Sequence, residues 1–315
     1  MSTKIVIGLC LLLSLNFSES LIFQNPADLE ENISIKDGRL LSDSGERYNI
    51  EMNLFESQNK YINNFSLPKN FDARKKWTRC DSLGAVRYQS NCNSDWAIAV
   101  AGVFSDRLWI NSRGKTAVTI SFEHILTCAI SDGCKGGEPD NAWNFLKNNG
   151  AVTGDDYRSN EGCQPYEIAP CSSNGYRKCN QTIADTPVCY RNCTNSHYRI
   201  RNFEADLHRT RGNFKTISPS SETEIMNEVY FNGSVAVAFD GYKDLFDHVT
   251  GIYVKKSDEF VRRLSVKIIG WGVRGNQFYW LMVNCWGKLW ADHGLFKMER
   301  NTLNTLSGSI TTGYA

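Results

Sequence analysis

Apolar residues recur at intervals of three and four over residues 93–110, which predicts an amphipathic helix. The residues on its apolar face are Trp96, Val100, Val103 and Phe104. Asn93 or Ser94 caps its first turn, because both residue types favour that position. A second helix is predicted over 138–148. The pattern then becomes alternating and β-branched, and strands are predicted over 234–239, 265–270, 278–284 and 294–298. Helices followed by strands indicate an α+β fold with two lobes.

The chain begins with a different pattern, in which Lys4 precedes an apolar run over 5–13 and small polar residues follow up to Ser20. This is typical of a cleaved signal peptide and predicts one over residues 1–20. A membrane anchor is disfavoured, because nine helical residues span about 14 Å and a bilayer core is about 30 Å thick. Residues 21–66 are polar and form a separate segment, whereas residues 67–315 have a globular composition.

Composition narrows the function only slightly. The 315 residues are 41% hydrophobic and can bury a sizeable core. The net charge is +1, from 35 basic and 34 acidic residues. Because no basic block alternates with aromatic residues, nucleic acid is not favoured as a partner. After the signal peptide, no stretch is long and apolar enough to span a membrane.

The cysteines agree with entry into the secretory pathway. Of 11 cysteines, five lie between 163 and 193, a segment with too few apolar residues to hold its shape by packing. Disulfides in an oxidising compartment explain this segment. Metal binding is disfavoured, since Cys189-x-x-x-Cys193 lacks a second pair and the histidines are scattered; no metal or cofactor is expected. Glycosylation sequons occur at Asn32, Asn64, Asn180, Asn192 and Asn232.

A family resemblance enters at Gln89-Ser90-Asn91-Cys92-Asn93-Ser94-Asp95-Trp96. This run resembles the papain-family signature Gln-Gly-x-Cys-Gly-Ser-Cys-Trp. Further matches follow in order: Leu67-Pro68, Gly133-Cys134-x-Gly136-Gly137, Gly270-Trp271-Gly272 and Asn284-x-Trp286. The run Glu161-Gly162-Cys163-Gln164-Pro165-Tyr166 and the insert up to Cys193 resemble cathepsin B. The resemblance implies a papain-like two-lobe fold, with a helical left lobe, a β-barrel-like right lobe and a disulfide-stapled occluding-loop insert. Residues 21–66 then correspond to a degenerate propeptide-like segment.

The resemblance also assigns the catalytic positions. The oxyanion-donating glutamine is Gln89 and the histidine-orienting asparagine is Asn284, and both are present. The nucleophile position is Asp95, and the histidine position, six residues before Gly270, is Leu264. A papain-like protease needs a thiolate paired with an imidazolium. A carboxylate would form an anhydride with the acyl group, which is a poor intermediate for amide cleavage. Leucine can neither accept nor donate a proton. Losing one such group costs about six orders of magnitude in kcat, so loss of proteolysis is predicted.

The substrate groove is altered as well. The implied groove residues are Gly136, Gly137, Arg262, Arg263 and Trp286. Arg262 and Arg263 replace the glycine pair before the family's histidine, so we expect them to narrow or recharge the groove. Either arginine is a candidate partner for Asp95; the alternative is an unselected surface charge. After Cys171, Ser172-Ser173-Asn174 replaces the two occluding-loop histidines of cathepsin B, which leaves carboxydipeptidase activity without a basis.

The resemblance implies a set of disulfides. The expected pairs are Cys92–Cys134, Cys128–Cys189, Cys163–Cys193 and Cys171–Cys179. Cys80 and Cys285 remain unpaired. An exposed free thiol would allow a covalent dimer, whereas a buried one acts as a small hydrophobic residue. Cys285 also lies next to Asn284, and is therefore a free thiol close to the old catalytic site.

Three functions remain open. The first is a secreted, proteolytically inactive homologue that binds a peptide, a protease inhibitor or another protein partner. The second is an active cysteine protease with unusual catalytic residues. The third is a structural or decoy protein whose groove is closed. The signal peptide predicts an extracellular protein, with an endolysosomal one as the alternative.

Overall fold

The computed structural model describes residues 66–171, 179 and 182–315. The predicted signal peptide and almost all of the propeptide-like segment lie outside the described residues, as do Asn32, Asn64 and Asn180. In the described part of the chain, no helix is both long and apolar enough to cross a bilayer.

Helices dominate the first half of the described chain and strands the second. The α-helices are α1 (Ala73–Lys76), α2 (Asp95–Asn111), α3 (Phe122–Cys128), α4 (Pro139–Asn148), α5 (Glu222–Asn232), α6 (Lys243–Phe246) and α7 (Arg300–Thr305). The strands are β1 (Phe71–Asp72), β2 (Lys215–Ile217), β3 (Val235–Tyr242), β4 (Ile252–Tyr253), β5 (Phe260–Arg274), β6 (Gln277–Val283), β7 (Leu295–Glu299) and β8 (Ser309–Thr312). The predicted α+β class is confirmed.

Helix α2 begins at Asp95, two residues later than the sequence predicts. The predicted cap position is confirmed at Ser94, but the predicted capping by its side chain is not found. Ser94 occupies the cap position, but its side chain makes no capping hydrogen bond and its hydroxyl instead lies 2.9 Å from the Tyr166 hydroxyl. The predicted apolar face is completely buried, and Asp95 is exposed by only 4%. Helix α2 is therefore the centre of the helical half, with Asp95 in its first turn.

The sheet is built around β5. Its strand order is β2-β8-β3-β5-β6-β7-β4, and β1 also pairs with β5. The strand is longer than the predicted 265–270, because its first part pairs with β3 while its last part pairs with β6 and β1. All these pairings of β5 are antiparallel. This central position places β5 between the apolar core of the sheet and α2.

Side chains of β5 alternate between two environments, as the strand geometry requires. Leu264, Val266 and Ile268 belong to the apolar core of the sheet. The intervening residues turn towards the helices: the Lys267 ammonium lies 2.8 Å from the Asp106 carboxylate of α2. Leu264, which the resemblance assigns to the histidine position, therefore contributes to a hydrophobic core.

Buried charges join α2 to the sheet half. Asp106 is completely buried and accepts hydrogen bonds from Lys267 and from the hydroxyl of Ser82, the latter at 2.6 Å. Arg107, next along the helix, pairs with Glu228 of α5 at 2.9 Å. Because buried charges are stable only when they are paired, these contacts fix the two halves against each other.

Within the described residues four disulfides are present, and they join the cysteine pairs that the resemblance implies. They are Cys92–Cys134, Cys128–Cys189, Cys163–Cys193 and Cys171–Cys179. Cys80 and Cys285 are unpaired, and both are buried. Their burial favours the packing role over an intermolecular disulfide. Among the sequon residues, Asn192 is exposed, whereas the Asn232 amide donates to Glu228 at 3.1 Å.

Candidate functional site

An ion pair includes Asp95, the residue that the family resemblance assigns to the nucleophile position. Arg262 Nη1 lies 2.7 Å from Asp95 Oδ2. The same carboxylate accepts hydrogen bonds from the main-chain N–H groups of Ser265, at 3.3 Å, and of Trp96, at 3.1 Å. Asp95 also lies in the first turn of α2, where the helix dipole favours a negative charge. The carboxylate is thus held as a structural anion.

Gln89 belongs to the same network. Its Oε1 accepts hydrogen bonds from Arg262 at 3.2 Å, from the Trp286 indole at 2.9 Å and from the Cys285 thiol at 3.1 Å. Three surrounding donors fix the orientation of the amide, because a flipped NH₂ would face all of them. Gln89 Nε2 then donates to the Cys92 carbonyl at 2.7 Å. The amide that should stabilise an oxyanion is therefore engaged within the protein.

The two other residues that the resemblance assigns to catalytic positions, Leu264 and Asn284, are both buried. Leu264 is 2% exposed and packs with Phe239 and Val266 in the sheet core. Asn284 is 3% exposed, and its side-chain oxygen accepts a hydrogen bond from the Cys285 main chain at 2.8 Å. The asparagine therefore keeps its place but has no imidazole to orient at residue 264.

Cys285 is the free thiol of this site. It is 3% exposed and donates to Gln89. Burial raises the pKa of the Cys285 thiol well above its ordinary value, and the nearby Asp95 carboxylate raises it further, while Arg262 opposes the shift. The thiol therefore stays protonated near neutral pH, and a protonated thiol is a poor nucleophile.

Arg263 spans the implied groove. Its guanidinium pairs with Glu138 at 3.0 Å and with Asp240 at 3.3 Å, and it donates to the Ser307 carbonyl at 3.1 Å. Glu138 caps α4 on the helical side, whereas Asp240 lies in β3 on the sheet side. We name this set of contacts the Arg263 bridge. It joins the two sides of the groove beside Gly137.

The other groove residues have defined packing. Gly136 has φ of 112°, a conformation that favours glycine. A Cβ at Gly137 would lie 2.7 Å from the Trp96 ring, so only glycine fits there. Trp286 stacks on Phe246 with ring centres 4.7 Å apart. The structure thus brings the predicted glycines close to α2 and the predicted arginines into ion pairs.

Sequence reasoning missed the partners of Arg263. Nothing in the sequence pattern distinguishes Glu138 or Asp240 from other surface carboxylates. The only available signal was the pair of adjacent arginines at positions 262 and 263, where the family has glycine, because two cations at a narrow groove require nearby anions.

Removal of the Asp95 side chain tests whether the ion pair is structural. We expect Asp95→Ala to lower the free energy of unfolding by about 1–2 kcal/mol, since a charge-assisted hydrogen bond is lost and Arg262 is partly solvent-exposed. Urea unfolding followed by tryptophan fluorescence measures this change. Asp95→Asn keeps a hydrogen-bond acceptor without the charge, so its free energy of unfolding should lie between those of the unaltered protein and Asp95→Ala. An unchanged urea midpoint for Asp95→Ala would refute the structural role of the ion pair.

Two buried titratable residues, Glu123 and His124, are adjacent in α3, away from this site. Burial raises the pKa of the Glu123 carboxyl to about 8, and the Glu167 carboxylate adds to the shift, although the Glu167 N–H opposes it. Burial, together with Arg191, lowers the pKa of the adjacent His124 to about 4. Glu123 is therefore protonated and His124 neutral in the folded protein near pH 6.

These two shifts have opposite consequences for stability. The protonated Glu123 stabilises the fold at low pH, and this stabilisation is lost as the pH rises from about 4.5 to 8. The neutral His124 stabilises the fold at higher pH, and this stabilisation is lost as the pH falls from about 6.5 to 4. Above pH 6.5 only the Glu123 effect remains. We expect the free energy of unfolding to fall by about 1–2 kcal/mol between pH 6.5 and 8. Urea titrations should show this fall in the unaltered protein and not in Glu123→Gln; an equal fall in both would exclude Glu123 as its source.

The α+β fold is consistent with a papain-like protein, and the comparisons agree. The model of the papain family cysteine proteases matches residues 67–312. Cathepsin B-like cysteine proteinase 3 of Caenorhabditis elegans is 38% identical over 253 residues, which cover 79% of this chain and 66% of that protein. Cathepsin B-like cysteine proteinase 4 of the same organism is 36% identical, covering 76% and 73%. The chain therefore belongs to the papain family of cysteine proteases.

Solved structures give the same result. The procathepsin B S9 structure from Trypanosoma congolense superposes with a TM-score of 0.66 at 29% identity, covering 80% of this chain and 78% of that one. Digestive procathepsin L2 from Tenebrio molitor matches in fold, with a TM-score of 0.57 at 23% identity, over 80% and 70% of the two chains. The papain-like fold is confirmed, and the chain's relatives within the family are cathepsin B-like.

Proposed function

We propose that the protein is a non-catalytic cathepsin B-like homologue that acts, outside the cell or in the endolysosomal system, by binding a protein partner. The observation that carries this proposal is the Asp95–Arg262–Gln89 network. The network contains the residues to which the resemblance assigns the nucleophile and the oxyanion donor, and an arginine beside them where the family has glycine. The signal peptide, the propeptide-like segment and the glycosylation of the sequons remain predictions within this proposal.

The chemistry of the network supports the loss of proteolysis. Attack on a peptide carbonyl requires a nucleophile that a base can activate and an acid for the leaving amine. Asp95 is neutralised by Arg262, and Leu264 neither accepts nor supplies a proton. One N–H of the Gln89 amide donates to the Cys92 carbonyl, so only its second N–H is left for an oxyanion.

An active cysteine protease is the second candidate, and the names of the relatives favour it. In this chain it would depend on Cys285, the free thiol at the site. That thiol is buried and protonated, and the residue at the histidine position is Leu264. Neither requirement for an activated thiolate is met, so we favour the non-catalytic function.

The Arg263 bridge supports a closed groove. An extended peptide lying between Gly137 and β5 would meet the guanidinium and its two carboxylate partners. Displacing them would leave charges desolvated and unpaired, which is costly. We therefore propose that the partner contacts the outer surface of the protein instead of threading through the groove. The proposal therefore takes the binding function from the first of the three functions considered above and the closed groove from the third.

The bridge is tested by opening it. The probe is a protein inhibitor of papain-like proteases whose inhibitory segment enters the groove. It should bind the Arg263→Gly variant at least about tenfold more tightly than it binds the unaltered protein. Surface plasmon resonance measures both dissociation constants. The matched control is Arg199→Gly, an exposed arginine outside the groove, which should leave the affinity unchanged. Equal affinity of the unaltered protein and Arg263→Gly would mean that the groove is not closed by this residue.

A further inference from the structure

Residues 190–209, at the end of the cysteine-rich insert and just beyond it, form a basic segment of the surface. Its four arginines are all exposed: Arg191, Arg199, Arg201 and Arg209. In the described part of the chain none of them is in an ion pair. The segment has two acids, of which Glu204 is exposed and Asp206 is only 1% exposed. It therefore carries uncompensated positive charge, although the net charge of the whole chain is +1.

An exposed apolar residue lies between two of these arginines. Among the large hydrophobic residues that the structure describes, Ile200 is the most exposed, at 81%, and arginines precede and follow it. A second ring in the segment, that of Tyr190, is 41% exposed. Isolated apolar residues are common on protein surfaces, so exposure alone identifies nothing. The combination with unpaired cations is specific, and we call this set the Ile200 surface: Tyr190, Arg191, Arg199, Ile200, Arg201 and Arg209.

The chain is anchored on both sides of Ile200. Before it, the Tyr198 hydroxyl donates to the Asp206 carboxylate at 2.7 Å. After it, the centre of the Phe203 ring lies 5.3 Å from that of the His124 ring, in an edge-to-face contact. Both neighbouring aromatic side chains are thus engaged with the protein. These anchors leave Ile200 projecting from the surface.

The arginines lie around the same anchors. Burial lowers the pKa of His208, and the nearby Arg201 guanidinium lowers it further. Arg209 directly follows His208 in the chain. On the other side of the segment, Arg191 is close enough to His124 to add to the effect of burial, which lowers the pKa of that imidazole to about 4. The cations therefore surround the projecting residue on one continuous surface.

We propose that the Ile200 surface binds a lipid bilayer that carries anionic headgroups. Its arginines pair with the headgroup phosphates and carboxylates, while the Ile200 and Tyr190 side chains enter the boundary between headgroups and acyl chains. Clusters of about four to eight basic residues favour anionic membranes, and an apolar anchor supplies the second attraction that stable attachment needs.

A soluble polyanion fits this surface less well than a bilayer does. It would satisfy the arginines but leave the Ile200 side chain in water, whereas a bilayer interface accommodates both the charges and the apolar group. The protein would lie on the membrane without spanning it. This inference goes beyond the proposed function, because it holds whether or not the protein is proteolytically active and whichever protein partner it binds.

Co-sedimentation of the purified protein with lipid vesicles tests the proposal. Phosphatidylcholine vesicles containing about 30% phosphatidylserine should bind it at least about tenfold more tightly than vesicles of phosphatidylcholine alone. Arg199→Gln/Arg201→Gln should weaken binding to the anionic vesicles by about tenfold or more, because two headgroup contacts are lost. Ile200→Ser should weaken it by about fivefold. Ile200→Trp should strengthen it, since tryptophan favours the membrane interface.

Matched variants control for net charge and for general surface changes. Arg79→Gln/Arg113→Gln removes two exposed arginines outside the Ile200 surface, and Val249→Ser removes another β-branched residue, which is 71% exposed. Each control should weaken binding by less than about twofold. All variants should retain cooperative unfolding, because every substituted side chain is exposed.

Three results would overturn the proposal. Equal binding of the unaltered protein to both kinds of vesicle would exclude recognition of anionic lipid. Equal weakening by the two double arginine variants would show that net charge alone attracts the protein. If Ile200→Ser binds anionic vesicles as tightly as the unaltered protein does, no apolar side chain enters the bilayer, and the surface would be assigned to a soluble polyanion.

Discussion

Asp95→Cys combined with Leu264→His is expected to create peptidase turnover, which we propose the unaltered protein lacks. The variant also carries Arg262→Gly and Arg263→Gly, which remove the ion pair and open the groove. We expect a gain of about three orders of magnitude or more, because nucleophile and base together account for about six. The gain is possible since residue 95 lies at the N-terminus of α2, which stabilises a thiolate. Hydrolysis of a fluorogenic dipeptide amide measures it.

The controls separate chemistry from folding. Asp95→Cys alone, with Leu264 retained, should remain inactive because its thiol has no base. Activities are compared only after the quadruple variant is shown to unfold cooperatively and to retain its four disulfides. If it is folded, carries a reactive thiol at residue 95 and still has no turnover, then positions 95 and 264 are not the sole sites of the catalytic defect.

The largest effect on stability is expected from Asp106→Ala. The Asp106 carboxylate is completely buried and pairs with Lys267, which is itself 4% exposed. Removing the carboxylate leaves an ammonium ion buried without a counter-charge, which costs about 3–5 kcal/mol. Differential scanning calorimetry should show a lower Tm, by about 2–4 °C for each kcal/mol in a domain of this size.

A double variant distinguishes an unpaired charge from lost packing. Asp106→Leu with Lys267→Met replaces both charges by apolar groups of similar volume and should be less destabilising than Asp106→Ala. The Asp106 carboxylate also accepts hydrogen bonds from the hydroxyls of Ser82 and Ser234. If the double variant is as unstable as the single one, the loss comes from these two hydrogen bonds or from packing. The ion pair would then not be what fixes α2 to β5.

Much of the fold is encoded in local patterns that a sequence displays. The three- and four-residue spacing around Trp96 predicts α2, and the motifs from Leu67 to Trp286 predict the papain-like arrangement. The ends of the elements were less accurate. Ser94 is a residue type that caps helices, but its hydroxyl bonds to Tyr166, which is distant in sequence. The extension of β5 to Phe260 depends likewise on pairing with β3.

The sequence predicts which residues of the site depart from the family motif, but it predicts the new contacts of those residues only in part. Aspartate at 95 and leucine at 264 are visible as departures from a motif, and the charges predict a pair between Asp95 and one of two arginines. Which arginine pairs depends on the geometry of β5, which sequence does not provide. Arg262 reaches Asp95, whereas Arg263 reaches Glu138 across the groove. The hydrogen bonds to the Gln89 side-chain oxygen were likewise unpredictable, because their donors, Arg262, Cys285 and Trp286, are distant from Gln89 in sequence.

Loss of proteolysis is tested most directly by incubating the purified protein with a fluorogenic dipeptide substrate and an epoxysuccinyl thiol probe, followed by mass spectrometry of the labelled peptides. We expect turnover equal to that of the buffer blank and no label on Cys285, because that thiol is buried and protonated. An active papain-family protease in parallel validates the reagents. Turnover above the blank, with the label on Cys285 and inhibition in proportion to labelling, would contradict the non-catalytic function.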